Sequence, residues 1–179
     1  LKKGKNVLEI KQPFGIGTNT EWFYLLGNFG VHIKGTEKKL LPIDEKISFG
    51  DIRESGLPFY GGALTYHVPL QLPRGKIKLR VPHYRGGLIR ANLDGEQTKR
   101  IVLPPYMQFF SVSQKGQHFL NITVYPSRNN AFGPVHLADK CEEWLGPSAW
   151  RSYDDAWTDG YCLKEEGILS KPVITILPD

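Results

Sequence analysis

Apolar residues recur at every second position in several short segments of this chain, as in Leu64-x-Tyr66-x-Val68-x-Leu70, Ile77-Lys-Leu79-Arg-Val81 and Leu120-Asn-Ile122-Thr-Val124. That period places alternate side chains on opposite faces of an extended backbone, so each segment reads as a half-buried strand. Less regular candidates cover Trp22 to Leu26, Leu88 to Leu93, Ile101 to Leu103, Gln108 to Val112 and Val173 to Leu177. Turn chemistry punctuates them at Leu72-Pro-Arg-Gly75, Asp94-Gly95 and Lys115-Gly116, spaced to suit hairpins and meanders. Nineteen Gly and 13 Pro interrupt strands more comfortably than helices. The pattern predicts an all-β, two-sheet antiparallel β-sandwich or jelly roll whose sheets bury their alternating faces against each other.

One stretch breaks the period. Leu137, Cys141, Trp144 and Leu145 fall at helical spacing before Gly146-Pro147, which predicts one short helix. From Ser148 to Tyr161 the aromatic residues Trp150, Tyr153, Trp157 and Tyr161 lie among acids, reading as a long ordered loop over one end of the sandwich. No internal repeat or low-complexity tract appears. With 179 residues and 40% apolar content, the whole chain, 1–179, is expected to form a single domain around one core. It starts at Leu1 and stops just after the apolar run Val173 to Leu177, as expected of a piece excised from a larger multidomain protein.

The net charge of +5 is unevenly distributed. Asp139 to Glu166 holds eight acids against three bases, so the remainder carries a net +10. A basic body can attract nucleic acid or an acidic glycan through counterion release. Here the Lys and Arg residues are scattered singly along strand-like segments, which reads as a solvated surface and no nucleic-acid site. No stretch reaches the roughly 18 to 20 apolar residues of a membrane span. Cys141 and Cys162 lack metal-ligand spacing; a disulfide between them and two buried thiols are both open.

Six further segments carry a resemblance. They are Phe49-Gly-Asp-Ile-Arg-Glu-Ser-Gly-Leu-Pro-Phe-Tyr-Gly-Gly62, Tyr84-Arg-Gly-Gly-Leu88 and Ser127-Arg-Asn-Asn-Ala-Phe-Gly-Pro-Val-His136, followed by Trp144-Leu-Gly-Pro147, Trp157-Thr-Asp-Gly-Tyr161 and Gly167 to Pro172. In this order they resemble the C-terminal domain of large bacterial proteins related to glycoside hydrolase family 2, over about Glu21 to Leu177. The resemblance implies a galactose-binding-like jelly roll that accompanies a separate catalytic barrel of the same parent chain. Its expected role is accessory: touching carbohydrate or bracing the catalytic domain, with no catalysis of its own. A purely structural or protein-interaction module is the alternative, and a small self-contained glycoside hydrolase a third.

Sugars stack their C–H faces on aromatic rings while planar polar groups bind their hydroxyls. Trp144, Trp150, Trp157 and Tyr161, joined by Arg128, Asn130 and Tyr60, are therefore the candidate carbohydrate-binding residues. The same indoles would equally serve to anchor a loop. Gly61-Gly62 and Gly86-Gly87 would let a ligand approach the backbone, or mark tight bends. The histidines are widely spaced; His136, near Asp139 and Cys141, offers the parts of a nucleophilic triad but lacks its sequence signatures. Asp154, Asp155 and Asp159 could hold a structural calcium, or form a hydrolase's carboxylate pair; no other cofactor is expected. Asn121-Ile-Thr123 matches a glycosylation acceptor inside a predicted strand and is discounted.

Overall fold

The computed structural model describes residues 2–18, 23–44, 46–138 and 154–178. Among these residues, nine strands form three antiparallel sheets: β1 (Gly30–Lys34), β2 (Glu37–Leu41), β3 (Leu64–Leu72), β4 (Gly75–Arg80), β5 (Leu88–Leu93), β6 (Lys99–Ile101), β7 (Met107–Val112), β8 (Gly116–Tyr125) and β9 (Val173–Leu177). A four-stranded sheet runs β3-β8-β5-β6, a three-stranded sheet runs β7-β4-β9, and β1-β2 is a separate hairpin.

Alternation is the reason the two larger sheets face each other. Ile89, Ala91 and Leu93 of β5 and Leu120, Ile122 and Val124 of β8 point inward, where they join Ile77, Leu79, Phe110 and Val112 of the other sheet in one core. Burial of such side chains contributes about 1.5–3 kcal/mol each and sets the register, because a one-residue slip would turn the whole apolar set outward. Pro69 sits mid-strand in β3 without disrupting the ladder, since β3 is an edge strand.

Most expected strands are present, β5 and β9 with the predicted bounds. Trp22 to Leu26 is not among them: the described residues 23–26 have no strand pairing. The turns at Leu72-Pro-Arg-Gly75 and Lys115-Gly116 do not close hairpins. They carry the chain from one sheet to the other, since β3 and β4 lie in different sheets, as do β7 and β8. Of the three expected turns, only Asp94-Gly95 joins directly paired neighbours, β5 and β6. The helix expected over Leu137 to Leu145 falls mostly outside the described residues; Leu137 itself forms an isolated bridge with Trp157. One helical turn, α1 (Asn129–Phe132), lies just after β8.

Candidate functional site

Three of the segments quoted for the resemblance meet at one end of the sandwich, held together by buried polar contacts. Gly50 N–H donates to Ile168 O at 2.8 Å and Ile52 N–H to Glu166 O at 3.0 Å, tying the first loop to the last. The Arg53 guanidinium binds Asp51 through Nε at 2.7 Å and Leu163 O through Nη1 at 2.6 Å. Glu166, 3% exposed, receives the Ser127 backbone N–H at 2.8 Å and the Ser127 hydroxyl. Buried polar atoms this well partnered hold loops that have no ladder of their own.

Beside this knot, Arg85, Gly86, Ser127, Lys164, Glu165 and Glu166 line an open cleft of about 620 Å³. Gly86 is required there for packing: its φ is +153°, and a Cβ would lie 2.6 Å from Tyr125 O. The bend therefore explains Gly86 without a ligand, whereas a Cβ at Gly87 would meet only an ordinary contact with Tyr125 O at 3.9 Å.

The neighbouring feature is a chain of rings. Trp157 stacks on His136 with centroids 4.6 Å apart and 23° between planes, His136 meets Tyr161 at 4.6 Å, and Tyr161 meets Phe59 edge-on at 5.2 Å. Lys38 Nζ lies 5.0 Å from the Tyr161 centroid, a cation held over the ring face. Backbone pairing fixes the geometry: Thr158 N–H donates to His136 O at 2.9 Å, Cys162 N–H to Val135 O at 2.7 Å, and His136 Nδ1 is 3.0 Å from Thr158 O. Trp157 remains 48% exposed, with its indole N–H on Asp159 Oδ1 at 3.1 Å.

Of the expected sugar contacts, Trp157 and Tyr161 are brought together, and Tyr60 lies in the loop whose Phe59 touches Tyr161. Tyr60 is 40% exposed and its hydroxyl donates to Ala63 O at 3.0 Å. Arg128 is exposed beside Gly61. Asn130 is placed differently: it is 3% exposed, its Nδ2 donates to Lys164 O at 2.8 Å, and its Oδ1 accepts from Lys164 N–H at 2.9 Å. Its amide clamps two loops and presents nothing to a ligand. Trp144 and Trp150 lie outside the described residues, as do Asp139 and Cys141 of the imagined triad; Cys162 is exposed. His136, Phe59 and Lys38 were not expected in the ring cluster. Only the Val-His ending of the Ser127 to His136 segment, next to the aromatic loop, hinted at the first.

Carboxylates at this end differ in character. Burial raises the Glu166 pKa above its ordinary value, more than the Ser127 hydrogen bonds lower it. Burial pushes the Asp51 carboxyl up too, but hydrogen bonds from Arg53 outweigh it and leave the group below its ordinary value. A pair with divergent acidity is what acid–base catalysis uses. Here the two groups are occupied by Ser127 and Arg53 respectively.

No family model and no curated protein matches the sequence. Among solved structures, the chain is similar to a GH2 beta-galacturonidase from Eisenbergiella tayi, with 18% identity and a TM-score of 0.44, over 84% of this chain and 23% of that one. It is also similar to a rhamnosidase from Novosphingobium sp. PP1Y, with 14% identity and a TM-score of 0.47, over 82% of this chain and 14% of that one. Both neighbours are glycoside hydrolase chains, and this chain spans less than a quarter of the length of either.

Proposed function

We propose that this chain is a non-catalytic accessory domain of a glycan-processing protein, and that it contacts carbohydrate through its aromatic end. The observation that carries the proposal is Trp157: a half-exposed indole backed by His136, braced at its edge by Asp159 and continued by Tyr161. A ring supported from behind is a preformed platform for the apolar face of a sugar, and a carboxylate at its edge suits the hydroxyls. The resemblance carried by the Phe49 to Gly62 and Ser127 to His136 segments supports an accessory place beside a catalytic domain. The occupied states of Asp51 and Glu166 weigh against a hydrolase centre at this end.

The test is a glycan-array screen of the chain followed by calorimetry on any hit. Trp157→Ala should weaken binding at least tenfold while the melting temperature falls by less than about 3 °C. No saturable binding by a well-folded chain would turn the assignment to the structural or interaction module. That second reading has its own support in Val7, Leu8, Phe14 and Ile16, each at least 74% exposed near the start of the chain.

A further inference from the structure

The outward face of the four-stranded sheet carries a built array of polar side chains. Register places Thr65 of β3, Thr123 of β8, Arg90 of β5 and Arg100 of β6 in one row across all four strands. Their chain neighbours Tyr66, Ile122, Ala91 and Ile101 are buried, so alternation turns all four row members outward. The Thr65 and Thr123 hydroxyls share a hydrogen bond of 2.9 Å. In the next row His67 Nδ1 lies 2.7 Å from Asn121 Oδ1, and Asn121 Nδ2 donates to Asn92 Oδ1 at 2.9 Å, which fixes both amide orientations. The Tyr125 ring sits 5.3 Å from the Arg90 guanidinium carbon.

Arg90 and Arg100 are the anomaly in this row. Like charges directly opposite across strands are destabilising. No carboxylate among the described residues bridges to either arginine, and the outward positions of β3, β5, β6 and β8 hold no acid. The Arg90 Nε is buried and makes no hydrogen bond within the described chain. Adjacent strands lie about 4.8 Å apart, so both guanidiniums can reach one planar anion.

We propose that this face binds an acidic saccharide: a hexuronic-acid unit whose carboxylate is taken by Arg90 and Arg100, and whose hydroxyls meet the oriented threonine and asparagine row. The assignment rests on the carbohydrate-contacting function proposed above and adds to it a second site, with its own ligand class, that does not depend on Trp157. An acidic protein segment is the competing occupant. Thr65, Thr123, His67, Asn121 and Asn92 make up its two central rows and the exposed apolar pair Pro69 and Phe119 is confined to the row beyond them, whereas a protein interface would centre its apolar core.

Calorimetry on the whole chain tests the assignment with three probes: a hexuronic-acid tetrasaccharide, the same tetrasaccharide after carboxyl reduction, and a glutamate tetrapeptide. The uronate probe should bind at least tenfold more tightly than its reduced form and than the peptide. Arg100→Gln, an exposed change that should leave the melt intact, should weaken the uronate at least tenfold. Arg90→Lys, which keeps the charge but loses the fork, should weaken it several-fold. Trp157→Ala should leave this affinity within twofold.

Absence of uronate binding, equal binding of the reduced probe, or an unchanged Arg100→Gln affinity would overturn the assignment. Equal binding of the peptide would do so too, in favour of an acidic protein partner. If a probe bound but was lost in Trp157→Ala and retained in Arg100→Gln, the aromatic-end function would stand and this site would fall.

Discussion

Asp94 shows how much one turn residue does in this domain. It adopts a φ of +52° just after β5, a conformation that Asp tolerates better than most residues. Its Oδ1 accepts the Phe119 N–H at 2.7 Å and its Oδ2 lies 2.6 Å from His118 Nδ1, while His118 Nε2 is 3.0 Å from Gln114 O. An imidazole facing an acceptor at both nitrogens favours its charged form, so the Asp94 hydrogen bond raises the His118 pKa above 6.5, and the same bond lowers Asp94 below 3.8. A raised His contributes stability that is complete below pH 6.5 and lost as pH rises through its folded value. The lowered Asp contributes stability present above pH 3.8 and lost as pH falls through its own. The pair therefore stabilises most between those limits. Thermal melts from pH 4 to 9 should show Asp94→Asn reducing Tm most near pH 5 to 6 and flattening the decline above pH 6.5; a variant whose melt parallels the native profile would refute this coupling. The residue scale is also where sequence reading was weakest. Asn130 looked like a sugar contact because its type suits one, but a residue's type does not say whether the turn that carries it faces inward, and α1 buries it.

Strands were legible to the extent that one face is buried and the other is wet. β3, β5 and β8 show that alternation in both sequence and burial, and all were expected. β2 was missed for the same physical reason: it reads Glu-Lys-Lys-Leu-Leu and is exposed at all five positions, so no buried face imprints a pattern; its partner β1 does alternate, half-buried Val31 and Ile33 against exposed His32 and Lys34, but over too few residues to stand out. The Arg90–Arg100 pair was equally hidden. The basic residues look scattered along the chain, and only the β5–β6 register makes these two neighbours. β8, hydrogen-bonded on both sides, should dominate stability, because Leu120, Ile122 and Val124 are each 0% exposed in the core. Ile122→Ala removes buried volume from a site walled by both sheets and should cost about 2–5 kcal/mol in chemical denaturation. A loss below about 1 kcal/mol would mean that the inter-sheet packing is loose.

At the scale of the whole molecule, the sequence predicted two packed sheets but not how the chain threads them. Pro73 and Gly75 specify a reversal without specifying its plane, and the chain uses that reversal to change sheets. The result is a path in which β3, β4, β5, β7, β8 and β9 belong to sheets such that most consecutive strands are separated by the core. Neither sheet can then bury its inner face before the other is in place, so folding requires non-local contacts and should be slow, on the order of milliseconds to seconds. Native-state hydrogen exchange examines this interdependence directly. β8 is central in one sheet and β4 in the other, each paired on both sides. If the core is one cooperative unit, amides within Leu120 to Val124 and Ile77 to Leu79 should exchange only through global opening and share one free energy. The exposed β1–β2 hairpin, tied to the body by the Val31 N–H to Gly56 O bond at 2.8 Å, should open locally and exchange faster. Exchange in β4 several orders of magnitude faster than in β8 would show that the three-stranded sheet detaches by itself.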